Sequence, residues 1–246
     1  MYASDSSFSQ LENPAINRYI DFINGIPKVQ SVKSKFYKYA EYLEKYILNG
    51  EVLCAGEIGQ AIRYKDNLSI HPLQMKESSS SVRELAGFIS YIKHIAKKGD
   101  LVFFDEPELS LHPDAIRHLL RVIVAMKKEG IKFFIITHSD YIIKEINNLI
   151  YMNNEKISLK FSELVERGFV NRLYEDQDIT ELNELLSLDY STVNIYTFER
   201  SENQVSVSQS YGDNEGFMES QFNKVLVSLN NFEDALHDIK NEKKSD

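Results

Sequence analysis

The chain has a single cysteine, so it can form no internal disulfide. Cys54 lies in the apolar run EVLCAG and reads as a small core residue, which fits a reducing cytoplasm. No run of about 18 apolar residues occurs, so no membrane span is implied. The N-terminal MYASDSSFSQ lacks a basic stretch followed by an apolar one, so no signal peptide is expected. Basic residues are in the minority. Lys and Arg number 28 against 37 Asp and Glu, for a formal net charge of −9. That balance argues against a broad nucleic-acid-binding surface on this chain, although a partner could supply one. No internal repeat is found.

What is present suffices for a core. The 246 residues are 43% hydrophobic and 26% charged, as in an ordinary globular protein. Residues 1–50 read as a helical segment. Asn13 can cap a first helix with Pro14 at its first position, and Ile16, Tyr19, Ile20 and Ile23 make its face. Val32, Phe36, Tyr39, Ala40, Leu43 and Ile47 repeat at helical spacing in a second helix, which Gly50 is expected to end. Residues 51–75 have short apolar runs between turn residues and predict two or three strands.

From there the pattern alternates. Val82, Leu85, Ile89, Ile92 and Ala96 make one helical stripe, closed by Gly99. Leu101 to Phe104 is a continuous apolar strand of the kind buried on both faces of a parallel sheet. Pro113 opens a helix with Ile116, Leu119, Leu120, Ile123 and Val124 on one face. IKFFII, 131–136, is a second such strand, and Ser139 is placed to cap a helix running to Ile150. Strand, helix, strand over 101–136 predicts a parallel, right-handed crossover. Residues 151–240 read as a small α+β extension with a hairpin at VNIYTFER and NQVSVSQS and a helix over 217–238. Residues 241–246 read as a disordered tail.

In parallel α/β sheets, ligands sit beyond the carboxyl ends of the strands. Asp105 and Glu106 close one such strand, in LVFFDEPELSLHPD, and His138 closes the other, in FFIITH. Phosphate chemistry uses these residue types: a carboxylate to hold Mg²⁺, a second to polarise a water, a histidine to reach the outermost phosphate. Alone, an Asp-Glu pair after a strand is often a solvated loop, and a histidine there a surface group. Here the two strand ends agree. The segment ESSSSVRELAGF adds four serines at a helix N-terminus. Ser81 with Glu84 predicts a capping box, which accounts for one serine, while a serine cluster at a helix start also suits an anion.

On these residues the sequence resembles the C-terminal half of ABC-type ATPase domains, and in particular stand-alone AAA-type proteins with ABC-like cores, akin to the OLD and RecF/SMC groups. LVFFDE resembles a Walker B motif, LSLHP a D-loop, IITHS an H-switch, and SSSSVRE a divergent ABC signature. The resemblance covers roughly residues 51–150. It implies an α/β, P-loop NTPase-like fold with a parallel sheet flanked by helices, and ATP and Mg²⁺ as ligands. Asp105 would be the Mg²⁺-associated aspartate and Glu106 the catalytic carboxylate. His138 would be the switch histidine at the γ-phosphate, and Ser110 and His112 would belong to the D-loop that crosses a dimer interface. Ser79, Ser80 and Ser81 would contact ATP held by the opposite subunit, with serines standing where glycines are usual. Arg83 could help by charge, or make a surface salt bridge.

One part of such an enzyme is missing. None of the ten glycines begins a G-x-x-x-x-G-K-[ST] run, and GEIG at 56–59 lacks the lysine and the length. The cradle for the β- and γ-phosphates is therefore absent. The chain is expected to act as the Walker B and signature part of an ATPase. It would work as a homodimer or with a partner that carries the Walker A lobe, to switch an effector, with phage defence or DNA work as the settings the resemblance implies. The alternative is a non-catalytic, truncated or regulatory protein that docks on an intact ATPase. A third reading, an OLD-type nuclease, would need a carboxylate cluster after the core. EDQD at 175–178 offers only what reads as a solvated acidic loop.

Overall fold

The computed structural model describes residues 33–54, 62–153, 187–201, 204–213 and 216–217. The expected helix after Asn13, the EDQD loop and the tail lie outside the described residues, as does the expected helix over 217–238 apart from Phe217, which is in a strand. The chain divides into two units, Met1–Ile136 and Thr137–Asp246.

The first unit begins with helix α1 (Tyr37–Leu43), which continues into a short π-helix (Glu44–Leu48). Phe36, Tyr39, Ala40 and Leu43 are buried, as their spacing predicts. Gly50 does not end this helix. Asn49 takes the left-handed capping position at φ 52°, and Gly50 opens β1 (Gly50–Cys54). A side chain at Gly50 would fall 2.5 Å from the Tyr64 hydroxyl, which donates to the Leu48 carbonyl at 2.6 Å. Glycine is thus required here for close approach. β1 pairs antiparallel with β2 (Ile62–Asp66), and β2 with β3 (Leu73–Gln74).

Helix α2 (Ser80–His94) packs on α1 and on this antiparallel sheet, with Val82, Leu85, Ile89 and Ile92 buried. Lys93, on α2, is also buried. Its Nζ lies 2.7 Å from Glu44 and donates to the Val52 carbonyl at 2.9 Å. The Val52 N–H donates to the same Glu44 carboxylate at 2.5 Å. This buried pair joins π-helix, β1 and α2. Burial raises the Glu44 carboxyl above its usual range, against the pull of Lys93.

β4 (Leu101–Asp105), α3 (Pro113–Lys128) and β5 (Lys132–Ile136) form the predicted crossover unit, and β4 and β5 pair in parallel from Leu101↔Lys132 to Asp105↔Ile136. Left-handed Gly99 and Gly130 turn the chain into the two strands. Among the described residues, only one face of this sheet is covered. Phe88 of α2 meets Phe104 edge-on at 4.7 Å and Phe133 at 6.4 Å. Leu101, Phe103, Phe134 and Ile136 face outward, with Phe103 70% exposed. Burial on both faces, as the apolar run predicts, is therefore not observed. The described residues supply helices to one face alone, and a continuous apolar run carries no record of which layer of the protein covers each side.

In the second unit, α4 (Asp140–Tyr151) buries Ile142, Ile143, Leu149 and Ile150. Ser139 holds the capping position, but its side chain makes no capping bond. β6 (Ile195–Arg200) and β7 (Val205–Ser210) form the predicted hairpin. The Asn147 amide brackets the backbone of Phe217, accepting from its N–H at 2.8 Å and donating to its carbonyl at 3.1 Å. Phe217 lies in β9 (Gly216–Phe217), which pairs with β8 (Gly212–Asp213).

Candidate functional site

Asp105 is the last residue of β4 and is exposed at the carboxyl edge of the parallel sheet. Its position follows from the strand's alternation, since it lies on the same outward face as Leu101 and Phe103. Glu106 leaves the strand. It sits at φ 46°, and its N–H still donates to the Ile136 carbonyl at 2.9 Å, so the parallel ladder extends one bond past the strand. A non-glycine residue in this region costs about 1 to 2 kcal/mol, and the surroundings must hold it there.

The loop beyond is tightly bonded. The Leu109 N–H donates to the Glu106 carbonyl at 2.9 Å, and the Leu111 N–H to the Glu108 carbonyl at 3.0 Å. Pro107 is buried beneath it. Ser110 is a second left-handed residue, at φ 62°. His112 closes the loop as the cap of α3: its Nδ1 accepts from the Asp114 N–H at 3.3 Å, with Pro113 at the first helical position. His112 therefore has a local structural role that its sequence position alone did not suggest.

The serine cluster sorts out differently from the capping-box expectation. Ser79, not Ser81, caps α2, its hydroxyl accepting from the Val82 N–H at 3.3 Å. The helix starts two residues earlier than Ser81 would require, directly after the preceding 3₁₀ turn (Met75–Glu77), which has its own capping box between Gln74 and Glu77. Ser81 lies inside the helix, and its hydroxyl donates to the Ser110 carbonyl at 2.7 Å. Ser78 is buried, donates to the Gln74 carbonyl at 3.1 Å, and its own carbonyl accepts from Arg83 at 2.8 Å. Arg83 thus braces the turn rather than a surface ion pair. Ser80 is exposed at the first position of α2.

The first unit accordingly brings together Asp105, Glu106, Ser110, His112 and the start of α2. His138 belongs to the second unit, exposed, and follows β5 through Thr137. The Ser139 N–H donates to the Thr137 hydroxyl at 2.9 Å, which fixes the turn just after it.

A buried group with little signal in the sequence lies on α3, against Tyr42 and Tyr46. His118 is buried, with its Nδ1 2.8 Å from the Tyr42 hydroxyl and its ring stacked on Tyr46 at 5.3 Å. Burial, aided by the neighbouring Arg121 charge, pushes its pKa down to about 4. His118 falls among the α3 core positions, and only its place just before Leu119 and Leu120 hinted at this.

The residues fit the ligands the sequence suggests to different degrees. Asp105 forms no ion pair among the described residues, and an exposed carboxylate suits a hard cation that takes few protein oxygens and fills its shell from phosphates and water. Among the described residues no group of three or more His, Cys, Asp or Glu could hold a metal unaided. Mg²⁺ would therefore come with its nucleotide. For the phosphates, the described residues offer the first-turn N–H groups of α2 and the Ser80 hydroxyl, and no lysine-bearing glycine loop. No helix among the described residues is long and apolar enough to cross a membrane.

Comparisons with known proteins bear on the same segment. No curated protein sequence matches. Among solved structures, the chain is similar to an SMC ATPase from work on "ATP-driven dimerization and DNA stimulated activation of SMC ATPases". The TM-score is 0.39 at 10% identity, over 79% of this chain and 89% of that one. It is also similar to the SMC head domain from Thermotoga maritima, with a TM-score of 0.34 at 16% identity, over 52% of this chain and 44% of that one. Residues 3–144 match the sequence profile of a family described as "AAA domain, putative AbiEii toxin, Type IV TA system". That match spans more than half of the chain and takes in both strand-end motifs, and the chain belongs to this family of AAA-type ATPases.

Proposed function

We propose that this chain supplies the Walker B and signature half of an ATP-hydrolysing site. Asp105 is the Mg²⁺-side carboxylate, Glu106 is the residue that orients and deprotonates the attacking water, and His138 is the switch histidine. The observation that carries the reading is the pair Asp105–Glu106 at the carboxyl edge of a parallel sheet, held in the same bonded loop that receives α2's N-terminal turn. Ser79, Ser80 and Ser81 mark the end of α2 that faces the phosphates of nucleotide bound to the other half, and Ser80 is the serine whose hydroxyl is not used in capping or in bonding the loop. Bound Mg²⁺ would neutralise phosphate charge next to Asp105.

The other half has to come from a polypeptide with a phosphate loop. The outward face of the β4–β5 sheet supports this. Leu101, Phe103, Phe134 and Ile136 form an apolar surface on the same side as Asp105, and parallel sheets are normally covered on both faces. The complete assembly would use its hydrolytic cycle to switch an effector, in keeping with a family described by a toxin of a toxin–antitoxin system. The missing cradle favours one second reading, a regulatory chain that docks on an intact ATPase without turning over.

The test is a titration followed by complementation. By calorimetry, the chain alone should show no saturable Mg-ATP binding at millimolar nucleotide, because two carboxylates repel the ligand and hold Mg²⁺ weakly without it. With a polypeptide carrying the phosphate loop, hydrolysis should appear, and Glu106→Gln should leave binding intact while lowering turnover about 10² to 10⁴-fold. Micromolar binding by the chain alone would overturn the half-site reading. Unchanged turnover in Glu106→Gln would point to the regulatory one.

A further inference from the structure

We propose that Ser81 is a positioning residue that ties the start of α2 to the loop carrying Glu106. The inference rests on the ATPase reading for its consequence, but the tie itself is independent of it. Two segments far apart in sequence meet here through one side chain. The Ser81 hydroxyl donates to the Ser110 carbonyl at 2.7 Å, and Ser110 is one of the two left-handed residues that bracket the loop. The other is Glu106, the proposed catalytic carboxylate.

Each left-handed residue has its own restraint. Glu106 is held by its N–H bond to Ile136 and by accepting from Leu109. The Ser110 peptide is held from outside the loop by Ser81, and the Leu111 N–H that follows reaches back to Glu108. Neighbouring serines are differently employed: Ser79 caps the helix, and Ser78 bonds within its own turn. Ser81 is thus the serine whose bond leaves α2. When the α2 end is drawn toward an anion, a displacement at Ser81 pulls on Ser110 and so on the turn that begins at Glu106. Nucleotide engagement at α2 would then set the carboxylate in place, which is a reason for a serine at this position distinct from phosphate contact.

The test reads the tie without ATPase activity. Amide hydrogen exchange on the full chain should be about 2- to 10-fold faster at Leu109 and Leu111 in Ser81→Ala, the size expected for one lost hydrogen bond. Amides inside α2 should be unchanged. Ser81→Thr, which keeps the hydroxyl, should restore slow exchange, and Ser79→Ala should loosen the first turn of α2 and leave the loop alone. In the complemented enzyme, Ser81→Ala should lower kcat with little change in the KM for ATP. Wild-type exchange at Leu109 and Leu111 in Ser81→Ala, or no rescue by Ser81→Thr, would overturn the tie. A loosened loop together with unaltered kcat in an active complex would overturn its catalytic consequence. If the wild-type complex itself fails to hydrolyse ATP, the ATPase reading fails, while the exchange data still decide the tie.

Discussion

The first unit contains two sets of acidic groups with opposite fates. Glu44 is buried against Lys93, with the Val52 backbone saturating both partners. Asp105 and Glu106 stand at a sheet edge, with Asp105 exposed. The buried pair gains from every neighbour and offers nothing to a ligand. The edge pair puts two like charges next to each other in sequence, and among the described residues Asp105 forms no ion pair. The buried charge serves the fold, and the exposed one is the one proposed to meet a ligand. The contrast between Glu44 and Asp105 is one of surroundings, not of sequence, since both lie among apolar residues: Glu44 in EYLEKYIL, and Asp105 at the end of LVFFD.

The sharpest way to break the comparison is to remove the buried cation. Lys93→Met leaves the Glu44 carboxylate buried with no counter-charge, and such losses cost about 3 to 5 kcal/mol. Urea unfolding at neutral pH should show this as a lower midpoint. Adding Glu44→Leu should recover much of the loss, because replacing both members of a buried pair by apolar groups is often close to neutral. If Lys93→Met costs less than about 1 kcal/mol, the buried pair is not structural and the contrast fails.

A buried group of a different kind sharpens the comparison. His118 is neutral where it lies, and its folded pKa of about 4 falls below the ordinary 6.5. A depressed folded value means that the unfolded chain binds the proton first. The associated stability is therefore complete above about pH 6.5 and is lost as the pH falls toward 4. At about 1.4 kcal/mol per unit, the full loss is of order 3 kcal/mol. Melting temperatures between pH 7 and pH 4 should fall more steeply for the wild type than for His118→Asn, which keeps a partner for the Tyr42 hydroxyl. Parallel slopes would show that His118 is not a buried titrating group.

Much of this arrangement was legible in advance, and the reasons are local. Helical periodicity located α1, α2 and α3, whose apolar stripes are largely buried, and Ser139 marked the start of α4. The apolar runs ending in DE and TH located β4 and β5, and Pro113 the start of α3. Three things could not be read. The serine that caps α2 depends on where the preceding 3₁₀ turn stops, and in SSSS every choice has the same composition. The exposed sheet face depends on which layer is present, and Leu101 and Phe103 look alike from either side. The bond from Ser81 to Ser110 joins parts of the chain that share no periodicity, and only the crossover topology brings them together.

The smallest expected effect belongs to the exposed half of the comparison. Asp105→Asn removes one of two adjacent like charges at the surface and leaves the backbone ladder of β4 and β5 untouched. Nothing buried is left without a partner, so the mechanisms that make substitutions costly do not apply. Unfolding free energy should change by less than about 0.5 kcal/mol, with any shift toward greater stability, because Glu106 then has no charged neighbour in sequence. Removing the charge should also abolish any effect of added Mg²⁺ on the melting temperature in the presence of ATP and the complementing polypeptide. A loss of several kcal/mol in the Asp105→Asn chain alone would mean that this carboxylate is already spent on the fold. The division between structural and poised charge would then have to be drawn elsewhere.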